Sequence, residues 1–236
     1  MKLKLVFVLV ALALLLIPVA ASATIFWSDY FEDGDLDEYN ENIGVVASQD
    51  QSYGGSWSAK ADNEIAEDQW GSSNIKVFIS YANKNSSSVR WLMQDGFEGR
   101  VGTVVYQCKW RASVSGYRIF QYPVEIVVRK IGGENIAYVV VKDFDGDIVT
   151  VAGPITITDE YWYQIGVGAE GYSYNFVYFA GEYYYPTVKA YATNHVCNWN
   201  GQNTQIALGS DALENSALQA AYFDNLLAGD EWNPPQ

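Results

Sequence analysis

Apolar and polar residues alternate along most of the chain with a period of two. Between residues 75 and 80, for example, Ile75, Val77 and Ile79 alternate with Lys76 and Ser80. Successive side chains of a β-strand point to opposite faces, so this pattern predicts strands with one apolar face and one wet face. The predicted strands cover residues 57–61, 75–81, 89–93, 103–111, 123–130, 136–143, 147–152, 161–168, 172–180, 186–192, 205–208 and 220–227.

Turn residues separate these strands. Asp145-Gly146 predicts a tight hairpin, and Gly54-Gly55, Gly132-Gly133 and Asn200-Gly201 predict further turns. Helical periodicity is nearly absent, and only residues 210–219 could form a short helix. Many short strands with regular turns predict an all-β fold, a two-sheet antiparallel sandwich in one domain.

The first 23 residues have the features of a signal peptide. Lys2 and Lys4 precede an apolar run at 5–17, and Ala21-x-Ala23 provides a small-residue cleavage site. The alternative is an uncleaved anchor, since the run approaches the length that spans a bilayer. We expect cleavage, which leaves a domain at 24–236 that is secreted to the extracellular space or cell surface, with no membrane insertion after signal removal.

The chain is acidic. Its 236 residues include 14 Lys and Arg against 28 Asp and Glu, a net charge of −14, and charged residues make up only 18%. Such a surface repels phosphate backbones, so we expect no nucleic-acid partner. Neutral sugars or cations are more compatible ligands.

The two cysteines, Cys108 and Cys197, predict one structural disulfide, because disulfides are common in exported proteins. A metal site is the alternative, since His195 lies two residues before Cys197. One histidine and two thiols make a poor zinc ligand set, so the disulfide is the prediction.

Five short motifs lie along the chain: FEDGDL at 31–36, GGS at 54–56, WY at 162–163, GE at 181–182 and FDN at 223–225. Together they resemble motifs of the laminin G-like, concanavalin A-like jelly-roll superfamily. The resemblance implies a jelly roll whose first and last strands lie side by side. Members of the superfamily bind glycans, cleave them or serve as adhesion modules.

The resemblance also implies one structural calcium ion between the two ends of the chain. Glu32 and Asp224, with Asp29 or Asp33, are the residues that such a site would use, since calcium takes six to eight oxygen ligands. The alternative is a group of solvated acids at a strand end. The local sequence does not form an EF-hand, because Glu38 occupies the position that requires glycine.

Catalytic residues are not predicted. Jelly-roll glucanases place their carboxylates as E-x-D-x-x-E on one strand, and no glutamate here is followed by aspartate two residues later. Glu125 and Glu182 remain as candidates for a glycoside hydrolase or lyase of this fold. The alternative for Glu125 is an outward side chain near the strand residue Arg129.

Aromatic residues make up 15% of the chain and can stack on the apolar faces of sugar rings. The ligand-binding candidates are Trp199 with its flanking amides Asn198 and Asn200, and Tyr183 and Tyr185 in the sequence GEYYYP, in which at least one tyrosine must face away from the core. Trp91, Trp110 and Trp162 are expected in the core. The sequence therefore favours a non-catalytic module that binds a glycan or polysaccharide, or mediates adhesion.

A third class is an extracellular structural or filament protein. The apolar stretch TIFWSDYF at 24–31 could pair with the sheet edge of another subunit, so self-association is an open alternative.

Overall fold

The computed structural model describes residues 25–62, 72–80, 84–94, 99–112, 116–193, 203–212 and 220–229. All regular structure in these ranges is β, and the strands pair antiparallel. No helix in the described ranges has the length and hydrophobicity needed to cross a membrane. The predicted signal peptide lies outside the described residues.

Sixteen strands follow one another along the described chain. They are β1 (Ile25–Asp29), β2 (Glu41–Ile43), β3 (Val45–Ser48), β4 (Ser58–Asp62), β5 (Ser72–Ser80), β6 (Lys84–Met93), β7 (Gly99–Ala112), β8 (Gly116–Ile131), β9 (Glu134–Lys142), β10 (Ile148–Ile157), β11 (Trp162–Glu170), β12 (Ser173–Phe179), β13 (Glu182–Tyr184), β14 (Tyr191–Thr193), β15 (Asn203–Ala212) and β16 (Ala220–Gly229).

The strands form two eight-stranded sheets. Sheet A has the order β13-β12-β11-β6-β16-β4-β3, with β1 also paired to β16. Sheet B has the order β10-β9-β8-β7-β15-β5-β2, with β14 also paired to β8. The pairing of β1 with β16, from Ile25 opposite Gly229 to Asp29 opposite Leu226, brings the first and last described strands together. The two-sheet antiparallel sandwich confirms the predicted fold class.

One apolar core lies between the sheets, and the alternation of residues explains it. Val124, Ile126 and Val128 of β8 face Ile165 and other core residues of sheet A, and all are fully buried. Residues between them face outward, as period two requires. The predicted core position of Trp91 is confirmed, because its side chain is 0% exposed.

Two predicted segments differ from the structure. The predicted strand 186–192 is wrong for most of its length: Tyr185 to Val188 carry no strand, and β14 begins only at Tyr191. Pro186 lacks a backbone N–H, which disfavours a continuous ladder there. The segment 210–219, which could have formed a turn or two of helix, is strand at its start, since 210–212 belong to β15; residues 213–219 lie outside the described part.

The predicted hairpin at Asp145-Gly146 is confirmed. Lys142 pairs with Ile148 across β9 and β10, and the Gly146 N–H donates to the Asp143 carbonyl at 3.0 Å. Gly146 has a φ of 91°, in the left-handed region that glycine adopts without strain.

Candidate functional site

Aromatic side chains collect on the outer face of sheet A, where strand alternation usually places polar residues. A bulge in β12 between Tyr174 and Phe176 shifts the alternation by one residue. Tyr174, Val177 and Phe179 therefore face the core, while Phe176 and Tyr178 face outward. Tyr183 of β13 pairs directly with Tyr178 and shares its face.

Tyr178, Tyr183 and Tyr185 form what we term the tyrosine platform. The rings of Tyr183 and Tyr185 are nearly parallel, with 14° between their planes and 6.4 Å between centroids. Tyr178 packs against Tyr183 at 5.0 Å and 66°. Tyr183 is 39% exposed and Tyr185 is 70% exposed, so the prediction that GEYYYP presents at least one tyrosine outward is confirmed. Tyr184 packs against the core instead.

A cleft of about 170 Å³ lies beside the platform. Its walls are the segment from Tyr185 to Val188 on one side and Val149 to Val151 of β10 on the other. Because β13 is an edge of sheet A and β10 is an edge of sheet B, the cleft lies where two sheet edges meet. Tyr185 belongs to both the platform and the cleft.

Phe176 supports the platform from below. Its ring is 2% exposed and contacts Tyr183 at 5.4 Å between centroids. The ring lies over Gly168 of β11, where a Cβ atom would overlap it. Glycine at 168 thus leaves the space that Phe176 fills, and Phe176 in turn positions Tyr183.

The other predicted ligand-binding residues, Trp199, Asn198 and Asn200, lie outside the described residues. The predicted core position of Trp162 is wrong: its side chain packs on the outer face of sheet A, against a small apolar cluster separate from the main core. Tyr163, Ile165 and Val167 take the core-facing positions of β11, which places Trp162 on the opposite face. The side chain of Trp110 is not described.

Glu125 is held between two cations on the outer face of sheet B. Its side chain is only 10% exposed, with Oε2 3.3 Å from Arg100 Nη1 and Oε1 4.0 Å from Lys142 Nζ. The partners are Arg100 and Lys142 rather than Arg129, which is exposed and pairs in register with Ile136. The two ion pairs thus engage both carboxylate oxygens of Glu125.

Glu182 lies in the other sheet. It is exposed at the start of β13 and accepts a hydrogen bond from the Tyr184 hydroxyl at 3.3 Å. Retaining glycosidases need two carboxyl groups about 5 to 5.5 Å apart. Because Glu125 belongs to sheet B and Glu182 to the edge of sheet A, the two candidates do not form such a pair.

Two of the predicted calcium ligands contact the backbone of one loop. Asp224 accepts hydrogen bonds from the N–H groups of Tyr53 at 2.7 Å and Gly54 at 3.2 Å. Glu32 accepts from Ser56 at 2.9 Å and Trp57 at 3.1 Å. We term residues 53–57 the clamped loop. The two carboxylates satisfy four of its backbone donors.

The buried carboxylate of Asp224 is costly to ionise. Its residue is 0% exposed, and burial raises its pKa, while the hydrogen bonds from Gly54, Tyr53 and Asn225 oppose that shift and the charge of Glu32 adds to it. The N–H of Asn225 donates to Asp224 Oδ1 at 2.6 Å, and Asn225 adopts a left-handed φ of 48°. The site therefore depends on a backbone irregularity in β16 as well as on the loop.

The other two predicted calcium ligands, Asp29 and Asp33, both interact with Glu38. Asp29 accepts from the Phe31 N–H at 2.6 Å and from the Tyr39 hydroxyl at 2.7 Å, and it also shares a hydrogen bond with Glu38. Carboxylate oxygens of Asp33, Asp35 and Glu38 lie within 4.8 Å of one another. This spacing fits the oxygen ligands of calcium, but only Asp33 of the four predicted acids belongs to this exposed group. Asp29 is buried, and Glu32 and Asp224 bind the clamped loop.

Glu38 in this exposed group of acids makes the free energy of unfolding depend on pH. Burial first, then the hydrogen bond to Asp29 and the charges of Asp29 and Asp33, raise the pKa of Glu38 from 4.5 to about 7. Between these two values the folded protein keeps a proton that the unfolded chain releases. The free energy of unfolding is therefore expected to fall as pH rises from about 4.5 to 7. Urea unfolding between these pH values should show a smaller fall in the free energy of unfolding for Glu38→Gln than for the wild type. Equal falls in the two proteins would show that Glu38 is not the titrating group.

The predicted calcium ion can be tested in the same protein. Calcium that binds only the folded state raises the melting temperature. We expect calcium at pH 7 to raise it, chelator to reverse the effect, and Asp33→Ala to reduce it. An unchanged melting temperature in the wild type would contradict the prediction.

The predicted disulfide falls largely outside the described part of the chain. Cys108 lies in β7, opposite Phe120 in register, but its side chain is not described. Cys197 and His195 are outside the described residues, so the disulfide stays a prediction.

The sequence matches no protein-family model and no curated protein, whereas the fold is similar to several solved structures. One is a conserved carbohydrate esterase from the Shiga toxin-encoding bacteriophage phi24B, with a TM-score of 0.60 and 10% identity over 89% of this chain and 100% of that chain. Another is Cip1, a cellulose-induced protein, with a TM-score of 0.57 and 12% identity over 89% of this chain and 100% of that chain.

A third is alginate lyase vAL-1 from Chlorella virus, with a TM-score of 0.50 and 11% identity over 88% of this chain and 100% of that chain. At identities this low the similarity is one of fold.

Proposed function

We propose that this chain is an exported, non-catalytic carbohydrate-binding module of the concanavalin A-like, laminin G-like type, and that the tyrosine platform holds the glycan. The observation that carries the proposal is the pair of nearly parallel, exposed rings of Tyr183 and Tyr185 beside a cleft. Flat aromatic rings bind the apolar faces of sugars, while their hydroxyl groups remain hydrated.

The surroundings of the platform support binding without large rearrangement. Phe176 is buried beneath Tyr183, and Tyr178 packs at its side. An aromatic ring supported in this way loses little conformational freedom when a ligand arrives, which improves affinity. The cleft wall at Pro186 and Thr187 supplies a rigid proline and a hydroxyl group at the end of the platform.

The names of the similar structures support the ligand class. They include a carbohydrate esterase and an alginate lyase, and a protein described as cellulose-induced. Two polysaccharides of different charge are therefore suitable probes: alginate, which is acidic, and hydroxyethylcellulose, which is neutral.

The binding test is affinity electrophoresis of the purified chain in gels containing each probe, followed by calorimetry with the one that retards it. Tyr183→Ala and Tyr185→Ala should each weaken binding about tenfold, which corresponds to about 1.4 kcal/mol. Tyr161→Ala is the matched control, since Tyr161 is 59% exposed but packs on Tyr163 away from the platform. Equal binding by all variants, or retardation by neither probe, would refute the proposal.

The non-catalytic part of the proposal has a separate test. The wild type is incubated with both probes and the solution is assayed for new reducing ends and for unsaturated products. We expect none, because Glu125 is engaged by Arg100 and Lys142 and Glu182 lies apart from it. Release of reducing ends or unsaturated products by the wild type, lost in Glu125→Gln, would show that the chain is an enzyme and contradict the non-catalytic proposal.

A further inference from the structure

A second aromatic cluster lies on the same outer face of sheet A, nearer its other edge. Trp162, Leu92 and Tyr222 form a row across β11, β6 and β16, because Leu92 pairs in register with both of its neighbours. Tyr53 of the clamped loop adds a ring 6.0 Å from Trp162 at 68°. We term these four residues the outer aromatic cluster.

The cluster combines aromatic surface with a cation. Arg90, one outward position from Leu92 on β6, places its guanidinium carbon 4.4 Å from the centre of the Tyr53 ring. Tyr53 is nevertheless 45% exposed and Trp162 is half-buried. Leu92 and Tyr222 are almost completely buried beneath them. The cluster thus presents two rings at a steep angle, supported by an apolar floor and flanked by hydrogen-bond donors.

The clamped loop fixes the position of Tyr53. The backbone of the loop is held by Asp224 at residues 53 and 54 and by Glu32 at residues 56 and 57. Gly55 has a φ of 74°, and a Cβ there would overlap the Glu32 carboxylate. Four hydrogen bonds to two acids from remote parts of the chain therefore hold a ring that contributes nothing to the main core.

We propose that the outer aromatic cluster is a second glycan subsite, at which a sugar ring of a long polysaccharide packs on Tyr53 and Trp162 and accepts hydrogen bonds from Arg90. This inference rests on the proposed glycan-binding function and extends it. A planar guanidinium with five N–H donors suits hydroxyl or carboxylate oxygens at the edge of a stacked sugar.

The two subsites are arranged so that one chain can reach both. Tyr178 of the platform pairs with Gly166 of β11, and Trp162 lies four residues earlier on that strand. At about 3.3 Å per residue, the separation along the strand is about 13 Å. Both sites face the same side of one sheet, so an extended polysaccharide that occupies them simultaneously gains from the linkage of two binding events.

The experiment is calorimetry with whichever of alginate and hydroxyethylcellulose retards the wild type. Tyr53→Ala should weaken binding of the long polymer about tenfold, while Tyr53→Phe, which keeps the ring, should bind as the wild type does. The alanine variant keeps the backbone N–H of residue 53, which donates a hydrogen bond to Asp224. Its melting temperature reports whether the fold is intact. Trp162→Phe provides a second readout, because polymer binding should change wild-type tryptophan fluorescence more than that of this variant.

The outcomes separate the two proposals. Loss of binding in Tyr183→Ala with unchanged binding and unchanged fluorescence response in the cluster variants would overturn the second subsite and leave the module intact. Weakened binding in both Tyr53→Ala and Tyr183→Ala supports two subsites. A wild type that binds neither polymer removes the proposed function and the second subsite with it.

Discussion

Asp224→Ala should destabilise the protein more than any other substitution of an acidic residue considered above. The change removes the acceptor of three backbone N–H groups, those of Tyr53, Gly54 and Asn225, in a position that is 0% exposed. A buried donor left unpaired costs about 1 to 3 kcal/mol. Since the released loop can regain some water, we expect about 3 to 5 kcal/mol in total.

Thermal and urea unfolding measure this loss. For a domain of this size, 3 to 5 kcal/mol lowers the melting temperature by on the order of 10 °C. Asp50→Ala is the control: its side chain is 64% exposed in an ion pair with Lys60, and exposed pairs contribute at most about 1 kcal/mol. Asp224→Asn keeps one oxygen acceptor, so its melting temperature should lie between those of Asp224→Ala and Asp50→Ala. If Asp224→Ala and Asp50→Ala have the same melting temperature, Asp224 does not hold the clamped loop.

Gly168→Ala should damage both stability and the tyrosine platform, although it adds a single methyl group. That methyl would overlap the buried Phe176 ring, and extra methyl groups in a packed site cost about 1 to 3 kcal/mol. Alanine is favoured over glycine in a strand by less than about 1 kcal/mol, so the overlap dominates. Because Tyr183 packs on Phe176, displacement of that ring should also weaken polysaccharide binding several-fold.

A double-mutant cycle isolates the contact between residues 168 and 176. Phe176→Ala alone should cost about 3 to 5 kcal/mol, but it removes the ring that Gly168→Ala displaces. The double variant should therefore cost less than the sum of the two single changes. Gly54→Ala is the control glycine, because its nearest neighbours would lie 3.9 Å from a Cβ. Additive costs in the cycle would show that the two residues do not compete for space.

Alternation predicted the long strands because each contains several apolar residues with period two. It could not predict β2 and β3, which have three and four residues and no measurable period. The prediction placed Trp162 in the core because tryptophan is apolar, although Ile165 and Val167 occupy the core-facing positions of β11 and so put Trp162 on the opposite face. The fold class was predictable, but the face of an aromatic residue has to be taken from its position in the strand's alternation and not from its hydrophobicity.

The candidate site was predictable in part. Three consecutive tyrosines after Glu182 required at least one outward ring, and the structure presents Tyr183 and Tyr185. The outer aromatic cluster was not predictable, because Tyr53, Arg90 and Trp162 come from remote segments that only pairing of β6, β11 and β16 brings together. The loop contacts of Glu32 and Asp224 were also hidden, since their partners are backbone N–H groups that every residue except proline carries.

The central place of β16 in sheet A has a consequence for folding. This last described strand pairs with β6, β4 and β1. During folding, the edges of β6 and β4 that face β16 therefore stay unpaired until β16 joins the sheet. Pairings of such high sequence separation slow folding, and unpaired strand edges promote aggregation in the meantime. A chain truncated before residue 220 would therefore leave two interior strands of the sheet as exposed edges, and we expect it to aggregate rather than form a smaller sandwich.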